Sequence, residues 1–297
     1  MSKTRGKWSQ SIADEGLTLT TFHVGSPNSL VVLEDWIEFF RDCVELRIRV
    51  VTCSEIAGSF QPQILRGRIP AAEIIDLPKR GLEVTELDPI GIWKGVIGSS
   101  TPLVAMVKLD TIPYRTRDRG DWVRDLASLV DRHEAWGVTG FRSHHCRPVD
   151  DAHALTTAFS HNFSIVDKES WAHALEEQIT DVLQRVDRFA TRPDDRFAFE
   201  AAVESHLQAS GQWNVRPAMS EDWSYAHVNQ WEDTLLSIRE RYRRRDGIGA
   251  FLHSSAPSDR PVWELPPWRR YYGRSKPPLP SRMRVLAGKW RRRLFGD

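Results

Sequence analysis

Hydrophobic periodicity switches twice within the first fifty residues, and this constrains the fold more than any other feature of the chain. Leu17–Val24, LTLTTFHV, alternates apolar residues with threonine in the two-residue period of a strand. The stretch LVVLEDWIEFFRDC, beginning at Leu30, then sets Val32, Trp36, Phe39 and Phe40 at helical spacing. Leu46–Thr52, LRIRVVT, returns to the strand period. Strand, helix and strand in this order favour an α/β fold: a mixed, mostly parallel central sheet flanked by helices.

The same reading extends along the chain. Residues 56–80 hold Pro62, Pro70 and Pro78 and read as a long irregular connection with short elements. LEVTEL, from Leu82, reads as a third strand, and IGIWKGVIGSS as a short helix. Six of the seven residues from Leu103 to Leu109 are apolar, Lys108 being the exception, and this run is the fourth strand. The next helix is capped by Asp121 and stopped by Gly137. GVTGF and NFSIV read as short strands, and Glu169–Ala190 as an amphipathic helix. RFAFEAAVESHLQASG is another helix, ended by Gly211. Asn229 with Glu232 resembles a capping box for a last helix that stops at Asp246-Gly247. Prolines then crowd the segment from Pro257 to Pro280. The expected division is a folded body over 1–255, ending in a helical and irregular extension, and a proline-rich spacer with a basic tail over 256–297.

Charge sharpens that division. Arg269–Asp297 carries ten Lys/Arg and one acidic residue, a net of +9, which leaves −8 on the rest of a chain whose total is +1. The tail, with Trp290, Leu294 and Phe295 among its arginines, suits an anionic membrane surface better than nucleic acid. Cys43, Cys53 and Cys146 are too few and too scattered for a disulfide framework or a structural zinc site. With no apolar segment of signal-peptide or membrane-spanning kind, the chain is expected in the cytoplasm or peripheral to the inner face of a membrane.

Strand four ends at Asp110, with Pro113 three residues on. In open α/β sheets ligands bind beyond the carboxyl ends of strands, so this aspartate is placed to meet one. Five segments in order then resemble the GT-A glycosyltransferases, most closely the inverting family-2 enzymes. They are TTFHVGSPNSLVVLEDWIEFF, VVTCSE, GIWKGVIGSSTPLVAMVKLDTIP, FSHNFSIVDKESWAHAL and FEAAVESHLQASGQWNVRP, together spanning about Leu17 to His227. The likeness lies in their order and spacing. Asp110 falls on the last aspartate of the family's Asp-x-Asp motif, whose first aspartate is here Lys108.

The resemblance implies transfer of a sugar from a nucleotide-diphosphate donor to a glycan or lipid-linked hydroxyl acceptor. It implies Mn or Mg held by Asp110 and His227, and donor contacts from Glu55, Lys94, Lys108 and Asp110. The acceptor hydroxyl needs a general base. Glu200 is the leading candidate, and Asp194 and Asp195 in RPDDR are the others. Strand alternation would put Lys108 and Asp110 on one side, so that the ammonium meets the diphosphate. Two other readings stay open. Lys108, and the single carboxylate near Glu200, suit a noncatalytic relative that binds a partner or nucleic acid. SHHCRP, with His144, His145, Cys146, Asp150 and Asp151, has the residue types of a metal hydrolase, but adjacent histidines in a strand point to opposite faces.

Overall fold

The computed structural model describes residues 6–25, 27–56, 61–116, 120–140, 146–150, 153–217, 219, 222–228 and 232–245. In chain order the elements are α1 (Lys7–Glu15), β1 (Leu17–Phe22), α2 (Leu30–Phe40), β2 (Leu46–Thr52), α3 (Pro62–Arg68), β3 (Ala72–Asp76), α4 (Val84–Ile97), β4 (Leu103–Val107), β5 (Thr111–Arg115) and α5 (Trp122–His133). There follow β6 (Gly137–Thr139), β7 (Cys146–Pro148), β8 (His153–Thr156), β9 (Phe163–Asp167), α6 (Lys168–Asp187), α7 (Ala198–Ser210), β10 (Asn214–Pro217), β11 (Trp223–His227) and α8 (Glu232–Arg243).

Among the described residues nine strands form one sheet, in the order β3-β2-β1-β4-β9-β6-β10-β8-β7. All but β9 and β8 run the same way, because each of those two pairs antiparallel to both neighbours. This is the mostly parallel α/β architecture expected from the alternating periods.

β4 shows why the sheet is covered on both faces. Leu103, Ala105 and Val107 enter a core with α1, α2 and α5, while Val104 and Met106 enter a second core with α4, α6 and α7. A strand buried on both sides reads as a continuous apolar run because alternate side chains feed different cores. Cys43 packs in the first core and Cys53 in the second, both as free thiols. On the second face α4 lies very close to β1: a Cβ at Gly91 would fall 2.1 Å from the Phe22 ring, and one at Gly95 would fall 2.5 Å from Thr20 Oγ1. Only glycine permits that approach, and it brings the first turns of α4 to the carboxyl end of β1.

Several sequence expectations change. LEVTEL is not a strand: Glu83 and Glu86 form a capping box and α4 begins at Val84, so local capping overrides the alternation. The third strand is instead β3, inside the segment read as irregular. Helix α5 stops at Glu134, which takes a left-handed φ of 50°, three residues before Gly137. Pro113 does not end the chain's extended path. It lies in β5, which among the described residues pairs only with β11, in a two-stranded ribbon, and so tolerates the missing N–H. The capping box at Asn229, residues His144 and His145, and the whole tail lie outside the described residues. Among the described residues no helix is long and apolar enough to cross a membrane.

Candidate active site

A cavity of about 640 Å³ opens where β1 and β4 end. Phe22 and His23 line it from the end of β1, and Lys108, Leu109 and Asp110 from the end of β4. Ser160 and Asn162 lead into β9, Val84, Thr85 and Asp88 belong to the start of α4, and Glu200 to α7. His227 joins them from the end of β11.

Asp110 reaches this space through a turn, not along a strand. β4 ends at Val107, and the N–H of Thr111 donates to the Lys108 carbonyl at 3.0 Å. The turn, rather than strand alternation, carries both Lys108 and Asp110 into the cavity. Two bonds hold it. The Trp36 indole N–H donates to the Thr111 carbonyl at 2.8 Å, and the Val228 N–H donates to the Asp110 carbonyl at 2.9 Å. Trp36 is itself fixed by stacking on Phe163, with ring centroids 5.1 Å apart.

The β5–β11 register sets His227 opposite Thr111. Its Nε2 lies 3.0 Å from Asp110 Oδ2, and its Nδ1 lies 3.2 Å from the Asn162 amide nitrogen. Asp110 Oδ1 is buried and, among the described residues, has no hydrogen-bond partner. A carboxylate oxygen left open beside an imidazole suits a hard divalent cation such as Mn or Mg. Turning the Asn162 amide over would let it accept from Nδ1 and free the Nε2 lone pair. Among the described residues no three His, Cys, Asp or Glu side chains converge on one point, so the rest of such an ion's shell would come from a ligand's oxygens.

Lys108 is not free. Its ammonium pairs with Asp88 at 3.0 Å. Burial opposes its charge, but Asp88, followed by Glu200 and Asp110, outweighs burial and raises the lysine pKa above its usual value. The lysine is therefore a fixed cation among three carboxylates. Glu200 sits one step away. Its Oε1 accepts the His161 N–H at 2.9 Å, and burial pushes its pKa up against the opposing pull of that bond, Lys108 and Ser160. His161 and His23 stay neutral. Burial holds the first well below its usual range and lowers the second to about 4, with Asp110 pulling His23 the other way.

The remaining sequence candidates sit elsewhere. Asp195 is buried against Arg185 at 2.8 Å and accepts the Arg192 N–H, so it caps the 3-10 turn Pro193–Phe197. Asp194 is exposed on that turn, and neither residue lines the cavity. Glu55 accepts the Lys79 N–H at 3.0 Å, and Lys94 faces Asp187 at 3.7 Å; both are also off the cavity. Asp150 is taken up by His153. Asp88, His23 and Asn162 are cavity residues that the sequence reading did not single out. Asn162 lay within a flagged segment, whereas Asp88 carried no signal beyond its charge.

No family model and no curated protein matches the sequence. Among solved structures, the chain is similar to residues 1–349 of S. aureus TarS in complex with UDP, at 10% identity and a TM-score of 0.41, covering 70% of this chain and 59% of that one. It is also similar to the mannosyltransferase PcManGT from Pyrobaculum calidifontis, in complex with GDP-Man and Mn2+. That match has 14% identity and a TM-score of 0.43, over 94% of this chain and 81% of that one. A third is mannose-1-phosphate geranyltransferase from Thermus thermophilus, with 11% identity and a TM-score of 0.43 over 74% and 79% of the two chains. Likenesses this loose bear on no residue of the cavity.

Proposed function

We propose that this chain is a glycosyltransferase that moves a sugar from a nucleoside-diphosphate donor to a hydroxyl acceptor with inversion. The observation that carries the reading is the meeting, in one cavity, of a carboxylate–imidazole pair, a fixed lysine and a buried glutamate of raised pKa.

Each group has a task in that reaction. The acceptor hydroxyl gives its proton to the Glu200 carboxylate as its oxygen bonds to the anomeric carbon. The bond from that carbon to the diphosphate breaks, and the electron pair leaves with the phosphate oxygen. Lys108 supplies a positive charge to the departing diphosphate without reorganising, because Asp88 already holds it. Asp110 and His227 would hold a divalent ion, which when bound offsets charge on the diphosphate. Attack from the side opposite the leaving group inverts the anomeric centre, and a base distinct from the donor-side groups suits that geometry.

The test is hydrolysis or transfer from a panel of UDP-, GDP- and dTDP-sugars by the wild type, repeated with Asp110→Ala and Glu200→Ala. Turnover lost in both variants, with folding retained, supports the reading. A wild type that neither turns over any donor nor gains thermal stability from any nucleoside diphosphate sinks it.

A further inference from the structure

Phe197 is 55% exposed, Val84 is 42% exposed, and both border the cavity. Scattered apolar residues on a surface need no explanation. Here, however, of the three exposed large apolar side chains among the described residues, two meet at one cavity mouth; Ile64 is the other. They belong to elements packed on each other, α4 and the 3-10 turn Pro193–Phe197, with the Thr191 hydroxyl bonded to the Glu86 carbonyl between them. Beside them Arg196 also lines the cavity, its guanidinium 4.2 Å from the centre of the Phe197 ring. Among the described residues no carboxylate pairs with it. It differs in this from Lys108, whose charge is met by Asp88.

The position of this pair relative to Glu200 gives it a meaning. Phe197 and Arg196 end the 3-10 turn that runs directly into α7, the helix that carries Glu200. Phe197 and Arg196 precede Glu200 by three and four residues, and all three line the cavity. Glu200 is the deeper member, with its side chain 26% exposed. A molecule whose hydroxyl reaches Glu200 therefore runs outward across the Phe197 ring, and its next unit comes beside the guanidinium. The face of the ring that Arg196 does not cover packs on the C–H face of a sugar ring, and the planar guanidinium matches a carboxylate or phosphate with two parallel hydrogen bonds.

We infer that Phe197 and Arg196 form an acceptor subsite selecting a glycan that carries an acidic group, phosphate or carboxylate, one unit from the reacting hydroxyl. This inference rests on the glycosyl-transfer reading of the same cavity, because Glu200 marks where the acceptor hydroxyl goes. The ring belongs to the acceptor and not to a nucleobase, since it stands at the start of the helix that carries the base while the diphosphate groups come from the ends of β4 and β11.

The experiment titrates the full chain, and its Arg196→Gln and Phe197→Ala variants, with three oligosaccharide probes. These are a neutral glucan, an oligouronate and a phosphodiester-linked sugar oligomer, followed by ligand-observed NMR at low and raised ionic strength. UDP and GDP are titrated in parallel. The wild type should bind at least one acidic probe about tenfold more tightly than the neutral one, and Arg196→Gln should erase that gap. Which acidic probe wins tells carboxylate from phosphate. Phe197→Ala should weaken the probes severalfold regardless of charge and leave the nucleotides unchanged. The inference falls if the wild type shows no acidic preference, including no binding of any probe. It also falls if Arg196→Gln keeps the gap, or if Phe197→Ala weakens the nucleotides instead. Acidic preference without any nucleotide binding would sink the transfer reading and with it the acceptor role, leaving Phe197 and Arg196 as a binding site for acidic glycans only. Nucleotide binding with indifference to the glycans would sink this subsite and leave the transfer reading standing.

Discussion

Asp110 and His227 are 117 residues apart in sequence, yet His227 Nε2 lies 3.0 Å from Asp110 Oδ2. The ribbon of β5 and β11 sets this distance by pairing His227 with Thr111, the residue after the aspartate. If the two hold a divalent ion with a nucleotide, Mn should enlarge the thermal shift given by a nucleoside diphosphate. Asp110→Asn and His227→Ala should each remove that increment. At a ligand concentration a hundred times Kd, full binding corresponds to about 2.7 kcal/mol, which a melting curve resolves. An Mn-dependent shift that persists in both variants would place the ion elsewhere.

Glu200→Gln should slow transfer and stabilise the protein. Burial raises the Glu200 pKa above its unfolded value. A carboxyl raised on folding contributes stability that is present below the unfolded pKa and lost as pH rises through the folded pKa. Above the unfolded pKa the acid form that the fold favours is no longer free of cost, and glutamine removes that cost at every pH while keeping an oxygen for the His161 N–H. The variant's Tm should exceed that of the wild type at about pH 7–8, and the gap should close as pH falls to about 4, the unfolded value. Over the same range kcat should fall by about 10²–10⁴. A variant that is both active and no more stable would show that Glu200 is a solvated surface residue.

Lys108 and Asp88 should move the pH profile of transfer in opposite directions. Lys108 lowers the Glu200 pKa and Asp88 raises it. Lys108→Met should thus shift the rising limb of the rate to higher pH, and Asp88→Asn should shift it to lower pH. Lys108→Met should also raise the donor KM by about tenfold or more, the loss of one charged hydrogen bond. Rate profiles at fixed donor and acceptor concentration separate these outcomes. Shifts in the same direction would break the electrostatic account.

How much of this was legible in the sequence follows from range. The strands and helices of the first half were visible because buried strands and amphipathic helices have different periods, and β2 matches its expected span, Leu46–Thr52. α4 was misread in part because Leu82–Thr85 alternates apolar and polar residues while its helical start depends on a side-chain capping box at Glu83 and Glu86. In the cavity, Asp110 and Lys108 could be named from the end of a recognisable apolar strand, whereas Glu200 and His227 could be named only through the family resemblance. Asp88 could not, since what marks it is the distance to Lys108, and local sequence does not encode a contact across twenty residues. Asp195 and Lys94 misled for the same reason: their charges are met by Arg185 and Asp187, partners that no local pattern reveals.

The position of α8 depends on one buried carboxylate. Asp35, on α2, is almost fully buried and accepts hydrogen bonds from Arg239, at 2.7 Å to its Nη2, and from Arg243. Burial raises its pKa, and Arg239 and Arg243 oppose that rise. Glu232, the first residue of α8, lines the cavity, so the clamp bears on the site as well as on stability. Asparagine removes the charge-assisted bonds to Arg239 and Arg243 but also the cost of burying the carboxylate's charge, and both arginines keep contact with water, so the net loss should be about 1 kcal/mol. Asp35→Asn should lower the urea midpoint accordingly without changing the m-value. Pairing it with Arg239→Met in a double-mutant cycle should recover part of the loss, because the second change removes the stranded charge. An unchanged midpoint in Asp35→Asn would mean that Leu235 and Tyr242, the buried apolar face of α8, hold the helix by themselves.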